Sequence, residues 1–278
     1  MIRVVVDTTC SMPLEWYDRH GIVPVPLYVR EGAQVQRELF DVSYDEFYQR
    51  QRAGAKFSTA QPDPQAFLEV FRPAVEAGDE VICVLLASRI SGAVNSANAA
   101  KAMLDTDRVS IVDSRQSGFG QAMLALQAKE LADAGVDRPE ILRALDDQIG
   151  RSRTFFVVES LRYLYEGGRL SGAQALIGSL IQIKPIIWFA ADGTLEAKEK
   201  IRTLKAAKAR LLELVKQRVG LGVGRIGLHY GDNLEEATAF ARELEAIAGA
   251  PVPLVKLSPV IASHTGPDIL GPTVITLA

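Results

Sequence analysis

Cysteine is nearly absent: there are two in 278 residues, Cys10 and Cys83, far apart and without CxxC spacing. A disulfide framework and a thiolate metal site therefore lose support, and a reducing cytoplasm is the expected setting. Positive charge is not in excess either. The 31 Lys and Arg face 34 Asp and Glu for a net of -3, so no whole-molecule field exists to hold a polyanion, and nucleic acid is not an expected partner. The apolar runs 81–87 and 186–191 fall far short of the roughly 20 residues that cross a bilayer. Asp7 interrupts the opening segment too early for a signal peptide, so neither a membrane span nor export is expected. There is no GxxxxGK[ST] phosphate loop, no HExxH pair and no GxSxG elbow around Ser91 or Ser117. Residues 222–227 match GxGxxG, but after a helix pattern and before a strand pattern, the reverse of the dinucleotide fingerprint, so they read as a helix-ending turn. No metal or organic cofactor is implied.

What remains is an ordinary globular composition, 48% hydrophobic and 23% charged. The length corresponds to about two domains at roughly 150 residues each. In the first half, β-branched runs at 2–6, 81–86 and 109–112 each lead into a polar loop and then a helix-period segment, the rhythm of a parallel α/β sheet. Ser43 with Glu46, and Asp63 with Pro64, mark helix starts; further helices are expected over 121–134 and after Asp137. The second half changes character. A hairpin is expected around Asp192-Gly193, then a basic helix over 203–219, strands at 226–230, 254–257 and 274–277, a helix over 234–247, and a loop through His264. The expected fold class is thus α/β, with an N-terminal parallel sheet flanked by helices (residues 1–152) and a C-terminal mixed or antiparallel sheet with helices (153–278).

Four polar clusters follow strands in the first half: Asp7-Thr8-Thr9, Ser58 to Pro62, Ser88 to Gly92, and Asp113-Ser114 leading to Ser117-Gly118-Phe119-Gly120. Loops at the carboxyl ends of parallel strands converge on one crevice, so these clusters are expected to meet. Their hydroxyls and backbone N–H groups suit a carboxylate or other anion and include no obvious base, while helix capping alone accounts for Asp7 and Asp113. Of the histidines, His20 ends a surface helix and His229 reads as a satisfied strand residue, whereas His264 lies between apolar segments, where a functional role is as well supported as a structural one. Arg169, after Gly167-Gly168, reads either as a solvated residue past a helix end or as an anion or partner contact. Lys198, Lys200, Arg202, Lys205, Lys208 and Arg210 form a local basic run, of a kind that is most often simply solvated.

Taken in order, Val6-Asp7-Thr8-Thr9, Thr59-Ala60-Gln61-Pro62, Ser91-Gly92, Val112-Asp113-Ser114 with Ser117-Gly118-Phe119-Gly120, Leu164 to Arg169, and His264-Thr265-Gly266-Pro267 resemble the DegV family. Its members are fatty-acid-binding proteins of the bacterial fatty-acid kinase system. The resemblance covers nearly the whole chain. It implies a two-domain α/β fold that holds a long-chain fatty acid in a tunnel between the domains. The carboxylate would be bound by Thr59, Ser91, Gly92 and His264, with Asp7, Thr8, Ser117 and Gly118 in supporting loops. It further implies a separate kinase subunit as partner, to which this chain presents the acid without performing catalysis. Neutral hydroxyls suit that role better than a tight arginine clamp, and Arg169 and Arg202 are the candidates for kinase docking. Two departures stand out: Ala60 replaces the usual Ser of Thr-Ser-Gln-Pro, and Ala93-Val94-Asn95 replaces Thr-Tyr-Gln after Ser91-Gly92. The competing readings are a Ser-His lipid hydrolase using Ser91 and His264, and a regulatory protein that senses a small acid.

Overall fold

The computed structural model describes residues 1–170 and 183–277, with the side chain of Lys198 left aside. Strand β1 (Ile2–Asp7) runs into a single 3-10 turn (Thr8–Cys10), then α1 (Leu14–His20) and β2 (Ile22–Val25). Next come β3 (Tyr28–Glu31), β4 (Gln34–Arg37), α2 (Tyr44–Arg52), β5 (Ser58–Ala60) and α3 (Pro64–Glu76). The first half closes with β6 (Glu80–Leu85), α4 (Ala93–Leu104), β7 (Val109–Asp113), α5 (Phe119–Asp133) and α6 (Arg138–Arg151). Strand β8 (Ser152–Val158) opens the second half, followed by α7 (Arg162–Glu166), β9 (Ile186–Phe189), β10 (Leu195–Glu199) and α8 (Leu204–Val219). The chain ends with β11 (Val223–Tyr230), α9 (Leu234–Ala248), β12 (Leu254–Lys256), α10 (Pro259–Thr265) and β13 (Ile269–Thr276).

Among the described residues, β2-β1-β6-β7 form a parallel sheet and β10-β9-β8-β13-β11-β12 a mixed one whose pairs are antiparallel except β11 with β12. The parallel strands are apolar on both faces because helices cover both. Phe67 and Phe71 of α3 with Ala97 of α4 fill one side, and Tyr17, Leu124 and Ile141 of α1, α5 and α6 fill the other. On the mixed sheet, Leu211 of α8 and Phe240 and Leu244 of α9 pack against Phe155, Leu228 and Val274. Helix α5 has no polar face over its first half: Phe119 to Ala125 are all buried, because the helix lies between the two sheets. Its Phe119 ring occupies the space that a side chain at Gly227 would need.

The sequence signals at helix starts hold: Ser43, Asp63, Asp137 and Thr203 cap α2, α3, α6 and α8 through their side-chain oxygens. Two expectations do not. Thr59 is not in a loop at the carboxyl end of a parallel strand; it lies on β5, in a small antiparallel sheet β4-β3-β5. His264 is not in a loop either. Pro259 opens a short helix after Ser258, His264 sits in its last turn, and Gly266 at φ 83° follows it. That helix packs Val260 and Ala262 against Leu27, Val29, Phe47 and Tyr48 of the first half. Arg52 of α2 adds a fork across the same seam, with Nε 2.6 Å from Asp232 and Nη2 2.7 Å from Asp268.

Candidate functional site

The carboxyl-end loops of the parallel sheet face the side of the mixed sheet left uncovered by α8 and α9. Between them lies a cavity of about 340 Å3, within the size range of small-molecule sites. Its interior is apolar, built from Leu86, Phe156, Leu164, Phe189, Leu195 and Ile269, and polar groups are gathered at defined places on the wall.

Thr59 of β5 and His264 of α10 meet at one such place, Oγ1 to Nε2 at 2.8 Å, although 205 residues separate them. Burial, and next the positive charge of Arg169, push the His264 pKa down to about 4, so the ring is neutral at pH 7. Its Nδ1 is buried without a partner among the described residues, against Gly167, where any side chain would overlap the ring. The tautomer consistent with this has Nε2–H donating to Thr59, which leaves the threonine proton free to donate into the cavity.

Ser91 follows β6 on the cavity wall, where its Oγ accepts from Ala93 N at 3.3 Å and its own proton is unspent among the described residues. Gly92 is held by Gln61, whose Oε1 accepts from Gly92 N at 3.1 Å; a side chain at Gly92 would overlap the Gln61 amide. The Thr59-Ala60-Gln61 strand thus fixes the Ser91-Gly92 turn, a role for Gln61 that sequence reading did not assign. His264 reaches Thr59 and not Ser91, so the Ser-His pair that a hydrolase requires is not what the geometry brings together.

Arg169 and Arg202 part company. Helix α7 ends in a Schellman turn, with Gly168 at φ 68° and Arg169 N bonded to Leu164 O at 3.1 Å. This turns the Arg169 side chain into the cavity wall, half-buried, where Nε donates to Ile90 O at 3.3 Å and Nη1 donates to Gly167 O. Among the described residues no carboxylate pairs with it, and burial lowers its pKa. Arg169 is therefore held half-buried in the cavity wall instead of standing free in solvent past the helix end. Arg202 is exposed, as are Lys200 and Lys205, while Lys208 and Arg210 are paired with Glu236 and with Glu199 and Glu213. Lys198, expected in the same run, lies outside the described side chains.

The supporting loops are fixed from behind. Asp7 is fully buried and caps the first turn, accepting from Thr9 N at 2.9 Å and from Leu86 N at 2.8 Å; Asp113 likewise accepts from Ser88 and Arg115. Thr8 accepts from Leu27 N and donates to Glu38 Oε2 at 2.6 Å, and Glu38 Oε1 accepts from Val260 N at 2.6 Å. Glu38, fully buried and unflagged in the sequence, so links the first turn of the chain to the helix that carries His264. Gly118 stands at φ 60° against the His229 ring; His229 Nε2 accepts from Phe119 N at 2.7 Å and Nδ1 bonds Gly271 O at 2.9 Å. His229 is the satisfied strand residue that the sequence suggested. Ser117, next to it, opens onto the cavity.

The arrangement is an apolar chamber with hydroxyl donors and a half-buried cation at one place, which chemically fits an amphiphile with an anionic head. No cluster of His, Cys, Asp or Glu suited to a metal occurs among the described residues, and no described helix is long and apolar enough to cross a membrane. A family model described as "Uncharacterised protein, DegV family" matches residues 1–277. A DegV domain-containing protein of Caldanaerobacter subterraneus is 32% identical over 276 residues, 97% of each chain. Two solved structures are similar throughout. DegV of Bacillus subtilis, described as a fatty acid binding protein, has TM-score 0.90 and 32% identity over 99% of both chains. A stearic acid-binding protein of Eubacterium ventriosum has TM-score 0.90 and 28% identity over 99% of this chain and 98% of the other.

Proposed function

Because the chain belongs to the DegV family, we propose that it binds a long-chain fatty acid in the cavity and presents the carboxylate to a partner kinase for acyl-phosphate formation. The observation that carries this reading is the pairing of an apolar chamber with the Thr59–His264 bond on its wall. In this reading Thr59 and Ser91 donate to the carboxylate, Gly92 gives the turn its close approach, and His264 orients the Thr59 hydroxyl. Arg169 adds positive charge from the wall, where two backbone carbonyls fix its guanidinium. Residues 1–152 and 153–278 act as two lobes, with the ligand between them. Burying about 15 methylenes at roughly 0.8 kcal/mol each contributes about 12 kcal/mol before ordering costs. A charge-assisted hydrogen bond adds about 1.5–3 kcal/mol, so the chain sets affinity and the head group sets orientation.

Denaturing extraction of the purified protein followed by mass spectrometry is expected to release a near-stoichiometric fatty acid. Ser91→Ala and His264→Ala are each expected to weaken binding of added fatty acid by about tenfold or more. A protein that carries no fatty acid and takes up none would return the small-acid sensor as the better reading. Arg202→Glu is expected to slow kinase-dependent phosphorylation with fatty-acid affinity unchanged. Loss of affinity with normal transfer would remove Arg202 from the docking surface.

A further inference from the structure

The cavity wall carries a second polar group that a plain alkyl chain has no use for. It is built on other elements than the first: Ser117 at the start of α5, Thr154 on β8 and His229 on β11. Two of its three members are already satisfied. Thr154 Oγ1 lies 2.7 Å from both Gln116 Oε1 and Thr273 Oγ1, and both ring nitrogens of His229 are engaged, by Phe119 N and Gly271 O. Ser117 is different. It is 8% exposed, it lines the cavity, and its hydroxyl has no hydrogen-bond partner among the described residues. The group is linked through hydrogen bonds to Arg169 beside the first. The connection runs from Gln116, whose carbonyl accepts from Ala87 N, through the Ala87–Ile90 turn, to Arg169 on the Ile90 carbonyl.

A hydroxyl that lines a cavity with its hydrogen-bonding capacity unused among the described residues is available to a ligand, and a site that holds one in place discriminates for a ligand that completes it. We propose that Ser117 is a specificity residue for an acyl chain bearing a hydroxyl or keto oxygen, the oxygen pairing with the Ser117 hydroxyl while the carboxylate stays at Thr59 and Ser91. This rests on the fatty-acid reading and narrows its ligand class. The fixed surroundings give the preference a position along the chain: Gly118 N is bonded to Thr9 O at 2.8 Å, and the His229 ring leaves no room behind the loop.

The test uses stearate and a series of monohydroxystearates that differ only in where the hydroxyl sits, measured by displacement of a fluorescent fatty acid from the delipidated protein. One position, or two adjacent ones, is expected to bind about fivefold more tightly than its neighbours in the series. Ser117→Ala is expected to erase that preference, read as the ratio of hydroxystearate to stearate affinity within the variant, while its circular dichroism and melting temperature report that the variant is folded. Ser117→Thr, which keeps the hydroxyl, is expected to retain it. A series without positional preference, or a preference that survives Ser117→Ala, overturns the proposal while leaving fatty-acid binding intact. A loss of stearate affinity in Ser117→Ala overturns it too, by making Ser117 part of the carboxylate site. Failure of every acid in the series to bind overturns the fatty-acid reading itself.

Discussion

Gly118→Ala is expected to remove most of the ligand-binding protein from the soluble fraction, and to lower Tm by about 10 °C in whatever remains. Three costs fall on one methyl group. The backbone at φ 60°, ψ −134° is open to glycine and closed to an L-residue without strain of about 1–3 kcal/mol. The new Cβ would overlap Nε2 of His229, so the ring must move within a packed wall. That movement breaks the 2.7 Å bond from Phe119 N and leaves a buried donor unpaired at the start of α5, worth about 1–3 kcal/mol. Gly135→Ala is the control. It also stands at positive φ, 79°, but no other group lies within 4 Å of where its Cβ would stand, so it is expected to cost only the backbone strain. Equal melting temperatures for the two variants would show that the His229 contact carries no weight. Because the displaced His229 ring lines the cavity, the residual folded Gly118→Ala protein is also expected to bind fatty acid more weakly.

The contrast between these glycines bears on what a sequence can disclose. Of the parallel strands, β1, β6 and β7 were legible as β-branched apolar runs, whereas β2, at the edge and interrupted by Pro24, was not expected; the caps were legible because Ser43, Asp63, Asp137 and Thr203 act within three residues of themselves. The antiparallel sheet of β3, β4 and β5 was not: its strands are three or four residues long, and Arg30, Gln34 and Gln36 blur the alternation. Helix α10 spans seven residues, too short for a helical period to separate it from the apolar strand pattern just before it. The motif residues Thr59, Ser91 and His264 could be singled out by chemistry and order. That His264 meets Thr59 and not Ser91, and that Arg169 turns inward, depends on where α10 and the α7 Schellman turn dock, which no local signal encodes.

Glu38 is the sharpest case of a residue legible only in three dimensions, and it makes stability depend on pH in a way that a single substitution isolates. Its carboxyl is fully buried beside Thr8, Tyr44 and Val260 N, with the Asp7 carboxylate near enough to oppose its charge and no cation against it among the described residues. Burial pushes its pKa up to about 7, against hydrogen bonds that favour the ionised form. The folded protein therefore keeps a proton that the unfolded chain releases at about pH 4.3. Between those two values the unfolded state binds fewer protons, so the Glu38 contribution to stability falls as pH rises, by roughly 4 kcal/mol in all. His229 and His264 act oppositely: both are held down to about 4, so their contributions rise with pH up to the ordinary histidine range. Wild-type stability alone thus mixes opposing slopes, and the difference between Glu38→Gln and wild type cancels the histidines. That difference, from urea unfolding at a series of pH values, is expected to be flat below about pH 4.3, to grow in favour of the glutamine by roughly 4 kcal/mol, and to level off above about pH 7. A difference that stays constant across the range would mean that Glu38 titrates as an ordinary surface acid. A glutamine keeps an oxygen that can accept from Val260 N at the start of the helix that ends in His264, without the charge that burial opposes. Fatty-acid affinity at pH 8 is therefore expected to be at least as high in Glu38→Gln as in wild type.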